Sequence, residues 1–426
     1  MNVCFVLISD GWGGAENVVR QIISCLVKRG VTVSLIINHE INGYFKEMDV
    51  QLLDLGSLFD FKSVSRMILK PDASLKTENS RPVKVLNILL MFIYFYRARN
   101  RINRFLDANR VEVIHSHLEY SDILSSIIYR GNKEKKWMNT IHGPWFSLYY
   151  TESRISSLSN WFFTGLLRRI SRKMDAVTFV SQYLYDESRD IFGESELDKK
   201  GVVIPNGIDI SQNSVVSRIS GSKIPDSTGN GETLPEKVHT YTVDNKKFNI
   251  LFPGGPKLKK GGDILIEALK TIVNDIPDLN LYIALEVPEN HLIRKLVDEY
   301  SLQDHVQFVG FLDPDNYMAL LNSVDMLAMP SRMEPFGMVY LEAMAFGIPV
   351  VASNIGGATE IIENNRNGIL TPPKPDEVAR AILMLYKDKS LREEISKNNL
   401  RDIHKFKWDT IVDRYVKTYN NLVNHE

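Results

Sequence analysis

The chain alternates short apolar runs with segments of helical periodicity over almost its whole length. The first repeat has an apolar run at Val3 to Ile8, a helical segment that stops at Gly30, and a second apolar run at Val31 to Ile37. A strand, a helix and a second strand of this length make a βαβ unit, which builds parallel sheets covered by helices on both faces. The sequence therefore predicts an α/β fold made of doubly wound, Rossmann-like sheets.

The alternation stops once, near the middle of the chain. It continues to Val202–Ile204, gives way between Ile210 and Lys247 to polar sequence without periodicity, and begins again at Phe248. The 426 residues also exceed what one compact core usually holds. We therefore expect two α/β domains, residues 1–206 and 207–407, with a flexible insertion near 210–247. A ligand-binding cleft is expected between them, beyond the carboxyl ends of the strands.

The charge balance and the number of cysteines indicate which partners and which cellular compartment to expect. Lys and Arg number 51 against 52 Asp and Glu, so no overall field attracts nucleic acid, and no nucleic-acid partner is expected. Cys4 and Cys25 are the only cysteines and lack metal-ligand spacing, which favours a reducing compartment. The N-terminal residues have no basic region or cleavage site typical of a signal peptide. Together these features predict a cytoplasmic protein.

One segment raises the question of contact with a membrane surface. Leu86 to Tyr96 is apolar except at Asn87, and four arginines follow between Arg97 and Arg104. The run is too short to cross a bilayer. Two interpretations stay open: an amphipathic helix packed on its own domain, or a basic amphipathic helix that lies on anionic lipid at the inner face of the membrane.

A glycine-rich turn separates the first expected strand from its helix. It reads Gly11-Trp12-Gly13-Gly14-Ala15-Glu16, and glycine there lets the backbone approach a phosphate or a sugar at the helix N-terminus. A dinucleotide fingerprint would need glycine where Glu16 stands. A tight connection without a ligand is the competing interpretation.

The most specific segment runs from Pro330 to Ala352. It follows an expected strand and places Glu334 before a helix and Glu342 inside it. The eight-residue spacing lets both carboxylates face the same side. Glu342 has apolar neighbours one turn away, where a carboxylate needs polar partners such as vicinal ribose hydroxyls. A helix cap and a solvated surface residue are the alternative interpretations of this pair.

With this segment the sequence resembles the retaining glycosyltransferases of family four, whose two domains form the GT-B fold. The spacing of Glu334 and Glu342 matches the E-x7-E motif of that family. The resemblance extends over most of the chain, and Trp408 to Val423 is similar to the family's final helix. It implies an N-terminal acceptor-side domain of residues 1–206 completed by a helix at 408–426, and a donor-binding domain at 207–407.

The same resemblance implies a set of site residues. Glu342 would bind the ribose hydroxyls of the donor, and Glu334 and His142 would act at the transferred sugar as the catalytic pair. Donor phosphates and sugar oxygens would meet a further set of residues: Gly13, Gly14, Lys257, Lys260, Phe336, Gly337 and Met338. No metal ion and no cofactor are implied beyond the nucleotide-diphosphate sugar itself, with UDP or GDP as the expected nucleotide.

The phosphate loop departs from the family pattern. The family usually has an arginine where Gly255 stands, whereas Lys260 matches its lysine. Lys257 is the candidate to replace the missing charge, although lysine lacks the bidentate fork of arginine. Lys259 is interpreted as a solvated loop residue. Asp313, which precedes a helical stretch, is interpreted as a helix cap rather than part of a metal motif.

Two strand-end histidines receive a structural interpretation. His115 and His117 are expected on the same side of one strand, and no cysteine or third histidine beside them supports a metal site.

The resemblance thus implies a retaining hexosyltransferase. It would move a hexose from a nucleotide sugar to a hydroxyl of a glycan or lipid-linked acceptor, in the synthesis of surface polysaccharide or glycoconjugate. Two alternatives stay open: a nucleotide-sugar epimerase of the same fold, and a non-catalytic glycan-binding relative.

Overall fold

The chain forms two compact units, residues 1–207 with 408–426 (unit 1) and residues 208–407 (unit 2). The computed structural model describes residues 1–9, 13–56, 81–129, 135–143, 165, 167–210 and 243–424, with residues 81–92 as backbone only. Most of the insertion expected near 210–247 lies outside these residues, as do Gly11 and Trp12 of the glycine-rich turn.

Unit 1 contains a seven-stranded sheet in the order β3-β2-β1-β4-β5-β6-β7, and every neighbouring pair is parallel. Its strands are β1 (Asn2–Leu7), β2 (Thr32–Ile37), β3 (Gln51–Asp54), β4 (Val113–His117), β5 (Lys136–Ile141), β6 (Ala176–Phe179) and β7 (Gly201–Val203). The central strands are buried along nearly their whole length. This is the burial that a parallel sheet acquires when helices cover both of its faces.

Unit 2 repeats the plan with six parallel strands in the order β10-β9-β8-β11-β12-β13. These strands are β8 (Phe248–Phe252), β9 (Leu279–Ala284), β10 (Val306–Gly310), β11 (Met326–Met329), β12 (Val350–Ser353) and β13 (Ile369–Thr371). In both units the strand order reverses beside the first strand, between β1 and β4 in unit 1 and between β8 and β11 in unit 2. Ligands of such sheets bind outside the carboxyl ends of the strands at this reversal.

Helices connect the strands. Those of unit 1 are α1 (Gly14–Lys28), α2 (His39–Asn42), α3 (Arg81–Ala108), α4 (Glu119–Ile128), α5 (Gln182–Glu187), α6 (Arg189–Phe192) and α7 (Glu194–Lys200). Those of unit 2 are α8 (Gly262–Ile272), α9 (Leu292–Glu299), α10 (Pro314–Ser323), α11 (Met338–Ala345), α12 (Ala358–Ile361), α13 (Pro375–Lys387) and α14 (Lys389–Asp402). Helix α15 (Trp408–Asn424) follows unit 2 in sequence but belongs to unit 1.

Helix α15 is held to unit 1 by apolar and charged contacts. Tyr415 and Tyr419 are fully buried, and Arg29, which follows α1 directly, forms ion pairs with Asp409 and Asp413 at 3.2 and 3.0 Å. Apolar burial supplies most of the stabilisation of such a helix, because exposed ion pairs contribute little.

The two parallel sheets confirm the α/β class and the Rossmann-like fold expected from the sequence. Strands β3 and β13 were not expected, and both are short edge strands. The apolar run at Leu86–Tyr96 belongs to the longer helix α3, which extends through the arginines that follow it. Among the described helices, none combines the length and hydrophobicity that spanning a membrane requires.

Candidate functional site

Two loops of unit 2 meet at the carboxyl edge of its sheet, where the strand order reverses. One follows β8 and leads into α8, and the other follows β11 and leads into α11. Gly261 joins them at close range: its φ is +76°, and a Cβ there would lie 2.0 Å from the carbonyl oxygen of Pro330. The backbone N–H of Arg332 also donates to the carbonyl of Lys259 at 2.8 Å. The sequence therefore needs glycine at 261 to bring these loops together.

This contact pairs two of the expected site residues. Lys260 Nζ lies 2.8 Å from Glu334 Oε2, and Ser331 Oγ is 3.4 Å from the same oxygen. The Glu334 side chain is 6% exposed and that of Lys260 21%. A charge-assisted hydrogen bond in such a partly buried place is stronger than one at the surface. The lysine expected at the diphosphate and the carboxylate expected at the sugar thus share one location.

A second ion pair fixes the geometry of the two loops. Arg332 donates from both guanidinium nitrogens to Asp263, at 2.7 and 2.6 Å, and also to the carbonyl of Leu258. A bidentate arginine-carboxylate pair constrains orientation as well as distance. Arg332 therefore serves to hold the loops and is not free to bind a ligand.

The remaining lysines of the loop keep their charge at the surface. Lys257 and Lys259 are both exposed. The pKa of Lys259 is lowered by partial burial and by the neighbouring charges of Lys260 and Lys257. Their mutual repulsion shows that the loop presents concentrated positive charge, which is suited to an anion.

The backbone explains why no arginine occupies position 255. Gly255 has φ +55°, and a Cβ there would lie 2.8 Å from the Cβ of Leu285. Leu285 has positive φ itself, at +75°, so it occupies a strained conformation beside the loop. An arginine at 255 would require both residues to move.

Glu342 lies on α11 and receives a hydrogen bond that the sequence did not indicate. The hydroxyl of Tyr317, on α10, donates to Glu342 Oε2 at 3.1 Å. Burial raises the pKa of Glu342 to about 7, and the hydrogen bond from Tyr317 opposes this rise. The other carboxylate oxygen has no partner among the described residues, so it can accept from a ligand hydroxyl.

Phe336, Gly337 and Met338 form the entry to α11. The helix begins at Met338, three residues after Pro335, with Gly337 as its N-cap at φ +107°. The backbone N–H groups of these three residues have no acceptor within the described chain. Free amides at a helix N-terminus suit an anionic oxygen.

In unit 1, α1 begins at Gly14 with Gly13 as its N-cap. Glu16, in the first turn, is buried and accepts a hydrogen bond of 2.5 Å from the hydroxyl of Ser9. The carboxylate therefore secures the strand-to-helix connection.

Two histidines contact each other at the carboxyl ends of β4 and β5. His117 Nδ1 lies 2.9 Å from His142 Nε2. The other ring nitrogens, His117 Nε2 and His142 Nδ1, are buried and have no partner within the described ranges. Burial lowers the pKa of His142 to about 4, so its imidazole is neutral at pH 7. A neutral imidazole with an unpaired nitrogen can exchange a hydrogen bond with a sugar hydroxyl.

His115 has a complete set of partners. Thr178 donates its hydroxyl proton to the carbonyl of Asn139, so its oxygen accepts from Thr140, 2.6 Å away. Thr140 Oγ1 therefore accepts from His115 Nε2 at 2.7 Å, and His115 Nδ1 accepts from Tyr419 at 2.7 Å. The structural interpretation is confirmed for His115. For His117 it is incomplete, because this ring contacts an expected catalytic residue.

Asp313 caps α10 by accepting from the backbone N–H of Asn316 at 3.0 Å, which confirms its interpretation as a cap. Across the described ranges, no three His, Cys, Asp or Glu side chains are grouped as a metal site.

Comparison with known proteins agrees with this architecture. Residues 12–212 match the model of the family described as Glycosyltransferase Family 4, and residues 235–402 match that of Glycosyl transferases group 1. Both models describe glycosyltransferases, and their matched ranges together span most of the chain.

Individual relatives match only part of the chain. An uncharacterized glycosyltransferase of Methanocaldococcus jannaschii is 37% identical over 41% of this chain and 45% of its own length. A GDP-mannose-dependent alpha-(1-6)-phosphatidylinositol monomannoside mannosyltransferase of Mycobacterium tuberculosis is 30% identical over 53% of this chain and 56% of its own. The chain thus spans about half the length of these two relatives.

A solved structure matches over the whole chain. Anabaena HepE in complex with UDP-glucose has a TM-score of 0.67 and 19% identity, with 99% of this chain and 100% of that one covered. At this identity the likeness shows the GT-B fold alone.

Proposed function

We propose that this protein is a glycosyltransferase that moves a hexose from a nucleotide-diphosphate sugar to a hydroxyl of a glycan or lipid-linked acceptor, with retention of the anomeric configuration. The pairing of Lys260 with Glu334 where the strand order of unit 2 reverses carries the proposal, since ligands of open parallel sheets bind there. UDP or GDP is the proposed nucleotide, and the binding of UDP-glucose by HepE supports a nucleotide sugar as donor.

Each site residue of unit 2 has a proposed task. Lys260 and Lys257 bind the diphosphate, together with the free amides of residues 336–338. Glu342 accepts hydrogen bonds from the ribose, and Glu334 accepts from hydroxyls of the transferred sugar. In this arrangement Glu334 exchanges part of its contact with Lys260 for contact with the sugar.

The transfer breaks the bond between the anomeric carbon and a diphosphate oxygen, whose electron pair leaves with the nucleoside diphosphate. The acceptor oxygen forms the new bond on the same face of the sugar, and its proton passes to the departing diphosphate. Lys260 and Lys257 stabilise the charge that develops on the diphosphate. Because these lysines and the helix N-terminus supply positive charge, we propose that transfer needs no metal ion.

His142 and the glycine turn of unit 1 take part in the same reaction under this proposal. A neutral His142 hydrogen-bonds a sugar hydroxyl through its unpaired Nδ1, while His117 holds the ring at Nε2. Gly13 and Gly14 let the backbone approach a phosphate or sugar oxygen.

A screen of UDP-, GDP- and ADP-sugars for nucleotide release, with and without a lipid extract, tests the function. Lys260→Ala is expected to lower kcat/KM about a hundredfold. Lys259→Ala is the matched control, because it removes the same charge from an exposed neighbour, and is expected to change kcat/KM less than about twofold.

Other outcomes would replace the proposal. Conversion of the free nucleotide sugar without an acceptor would identify an epimerase. Calorimetry that finds no affinity for any nucleoside diphosphate would indicate a non-catalytic glycan-binding protein.

We also propose a cytoplasmic location, with peripheral contact at the anionic inner face of the membrane and a role in surface polysaccharide or glycoconjugate synthesis. Ile93 and Tyr96 are 52% and 60% exposed on α3, and Arg97 and Arg101 are exposed at helical spacing from them. Apolar residues beside arginines on one exposed face suit an anionic lipid surface. The mannosyltransferase relative, named for a phosphatidylinositol mannoside, supports a lipid-linked acceptor.

Co-sedimentation with anionic vesicles tests this contact. Charge reversal at Arg97 and Arg101 is expected to reduce binding about thirtyfold or more, at about 1 kcal/mol for each of the two charges removed. The control is reversal of Arg172, which is also exposed in unit 1. Equal loss in both variants would contradict a defined membrane face.

A further inference from the structure

A cavity of about 630 Å³ lies at the amino edge of the unit 1 sheet, on the opposite side from His117 and His142. Its walls come from the first residues of β5 and β6, from β7, from the end of α7 and from α15. Five cationic residues line it: Lys136, Lys199, Lys200, Arg414 and Lys417. The single carboxylate of the lining is that of Asp175. We call this cavity the basic pocket.

Lys200 and Asp175 both have hydrogen-bond partners within unit 1. Lys200 Nζ lies 3.0 Å from Glu196 and donates to the carbonyls of Ser171 and Met174. Asp175 Oδ2 accepts from the Trp137 backbone N–H at 2.7 Å and from a tyrosine hydroxyl at 2.8 Å. Glu196 balances the charge of Lys200, whereas Asp175 keeps its negative charge because its donors are neutral, so the lining holds four further cations against one carboxylate.

The other four cations have no carboxylate partner in the described part of the chain. Arg414 donates to the carbonyl of Val203, and no ion pair is formed by Lys136, Lys199 or Lys417. Four positive charges against one carboxylate leave this concave surface net positive, and a concave wall concentrates the field. The chain as a whole has a net charge of −1, so this concentration is local.

The size and the donors of the cavity define the class of ligand. About 630 Å³ is within the range of small-molecule sites and larger than one inorganic ion needs. Lysine and arginine are the side chains that bind phosphate, arginine through paired N–H groups. Thr418 and Asn421 add neutral hydrogen-bonding groups on the α15 wall. We propose that the basic pocket binds a phosphate-bearing anion, separately from the donor site of unit 2.

Calorimetry with inorganic pyrophosphate tests the proposal, in a Lys260→Ala background that weakens binding at the proposed donor site. Saturable binding to one site is expected. The double variant Lys199→Glu/Lys417→Glu is expected to weaken it at least tenfold, since neither side chain has an ion pair to lose. Lys46→Glu, which reverses an exposed lysine elsewhere in unit 1, is the control and is expected to leave the affinity unchanged.

A second arm distinguishes the source of the phosphate. Vesicles of phosphatidylglycerol replace pyrophosphate in a co-sedimentation assay of the same variants. Binding of pyrophosphate alone identifies a soluble ligand, and vesicle binding that the double variant loses identifies a lipid headgroup. Should the double variant fail to fold, Lys199→Gln and Lys417→Gln replace it.

The proposal is overturned if neither probe binds, or if Lys46→Glu weakens binding as much as the double variant does. Because the pocket lies in unit 1, its test does not depend on the proposed function. A protein that binds pyrophosphate in the basic pocket but no nucleotide sugar would refute the proposed function alone. A protein that binds a nucleotide sugar but no anion in the basic pocket would refute the pocket alone.

Discussion

The ionisation of Glu342 affects both the stability of unit 2 and the proposed binding of the nucleotide sugar. Burial raises the pKa of this carboxyl from 4.5 to about 7. Below pH 4.5 the group is protonated in both the folded and the unfolded chain, and above pH 7 it is ionised in both. The folded protein is therefore favoured at low pH and loses this stabilisation as the pH rises through the pKa of the folded state. Full ionisation costs about 3 kcal/mol, at about 1.4 kcal/mol for each pH unit between the two values.

Replacement by glutamine removes this cost, because the amide is neutral at every pH. Between pH 5 and pH 8 the wild type loses about 2–3 kcal/mol of stability that Glu342→Gln keeps. For a unit of this size, the Tm of Glu342→Gln relative to that of the wild type is therefore expected to be about 5 °C or more higher at pH 8 than at pH 5. The same variant is expected to bind the donor more weakly, since an amide is a poorer acceptor for ribose hydroxyls.

Scanning calorimetry of the full chain at pH 5 and pH 8 measures the effect, with the transition of unit 2 followed separately. Glu299→Gln, at an exposed position of the same unit, is the control for loss of a negative charge. The reasoning is refuted if the difference in Tm between wild type and Glu342→Gln is the same at both pH values.

Substitutions at three further positions test contacts within the two units. Gly261→Ala is expected to lower the Tm of unit 2 by several degrees, because positive φ and a carbonyl 2.0 Å from the new Cβ cost about 1–3 kcal/mol; an unchanged melting curve would contradict this. Tyr317→Phe removes the hydroxyl that donates a hydrogen bond to Glu342, so the KM for the nucleotide sugar is expected to rise about tenfold at pH 7 and much less at pH 9. Parallel pH profiles of KM in the wild type and the variant would argue against this role. His117→Leu is expected to lower kcat about tenfold with little change in donor KM, whereas His117→Asn, which can still hydrogen-bond His142, restores most of it. An equal loss in both His117 variants would assign the residue to packing alone.

The periodicity of the sequence was sufficient to predict the class of fold and the central strands. Strands β1 and β11, for example, are nearly continuous apolar runs, which a sheet covered on both faces requires. Strand β3 escaped prediction because it lies at a sheet edge, pairs on one side and is only partly buried. Strand β13 is an edge strand of three residues, too short to show a period.

The candidate site could be predicted only in part. The motif places Glu334 in a loop and Glu342 in a helix, as the structure has them. No local signal indicates that Lys260, 74 residues before Glu334, forms an ion pair with it. The role of Tyr317 was missed for the same reason, because its contact with Glu342 depends on how two helices pack.

The histidines show how register decides such contacts. Parallel pairing of β4 with β5 sets His117 opposite Thr140, so the residue two positions further on, His142, comes within hydrogen-bonding distance. The sequence showed two histidines at the end of one strand and a third after another. It could not show which of them would meet.

The sequence by itself therefore determined the βαβ repeat, the glycine positions and the kinds of side chain at the strand ends. These depend on periodicity and backbone preference, which act between residues close in the chain. Tertiary structure alone decided the partners: Lys260 with Glu334, Tyr317 with Glu342, and His117 with His142. The basic pocket likewise combines α15 with strands more than 200 residues earlier in the chain. Such contacts join residues far apart in sequence, and strand order, register and helix packing fix them only when the whole unit folds.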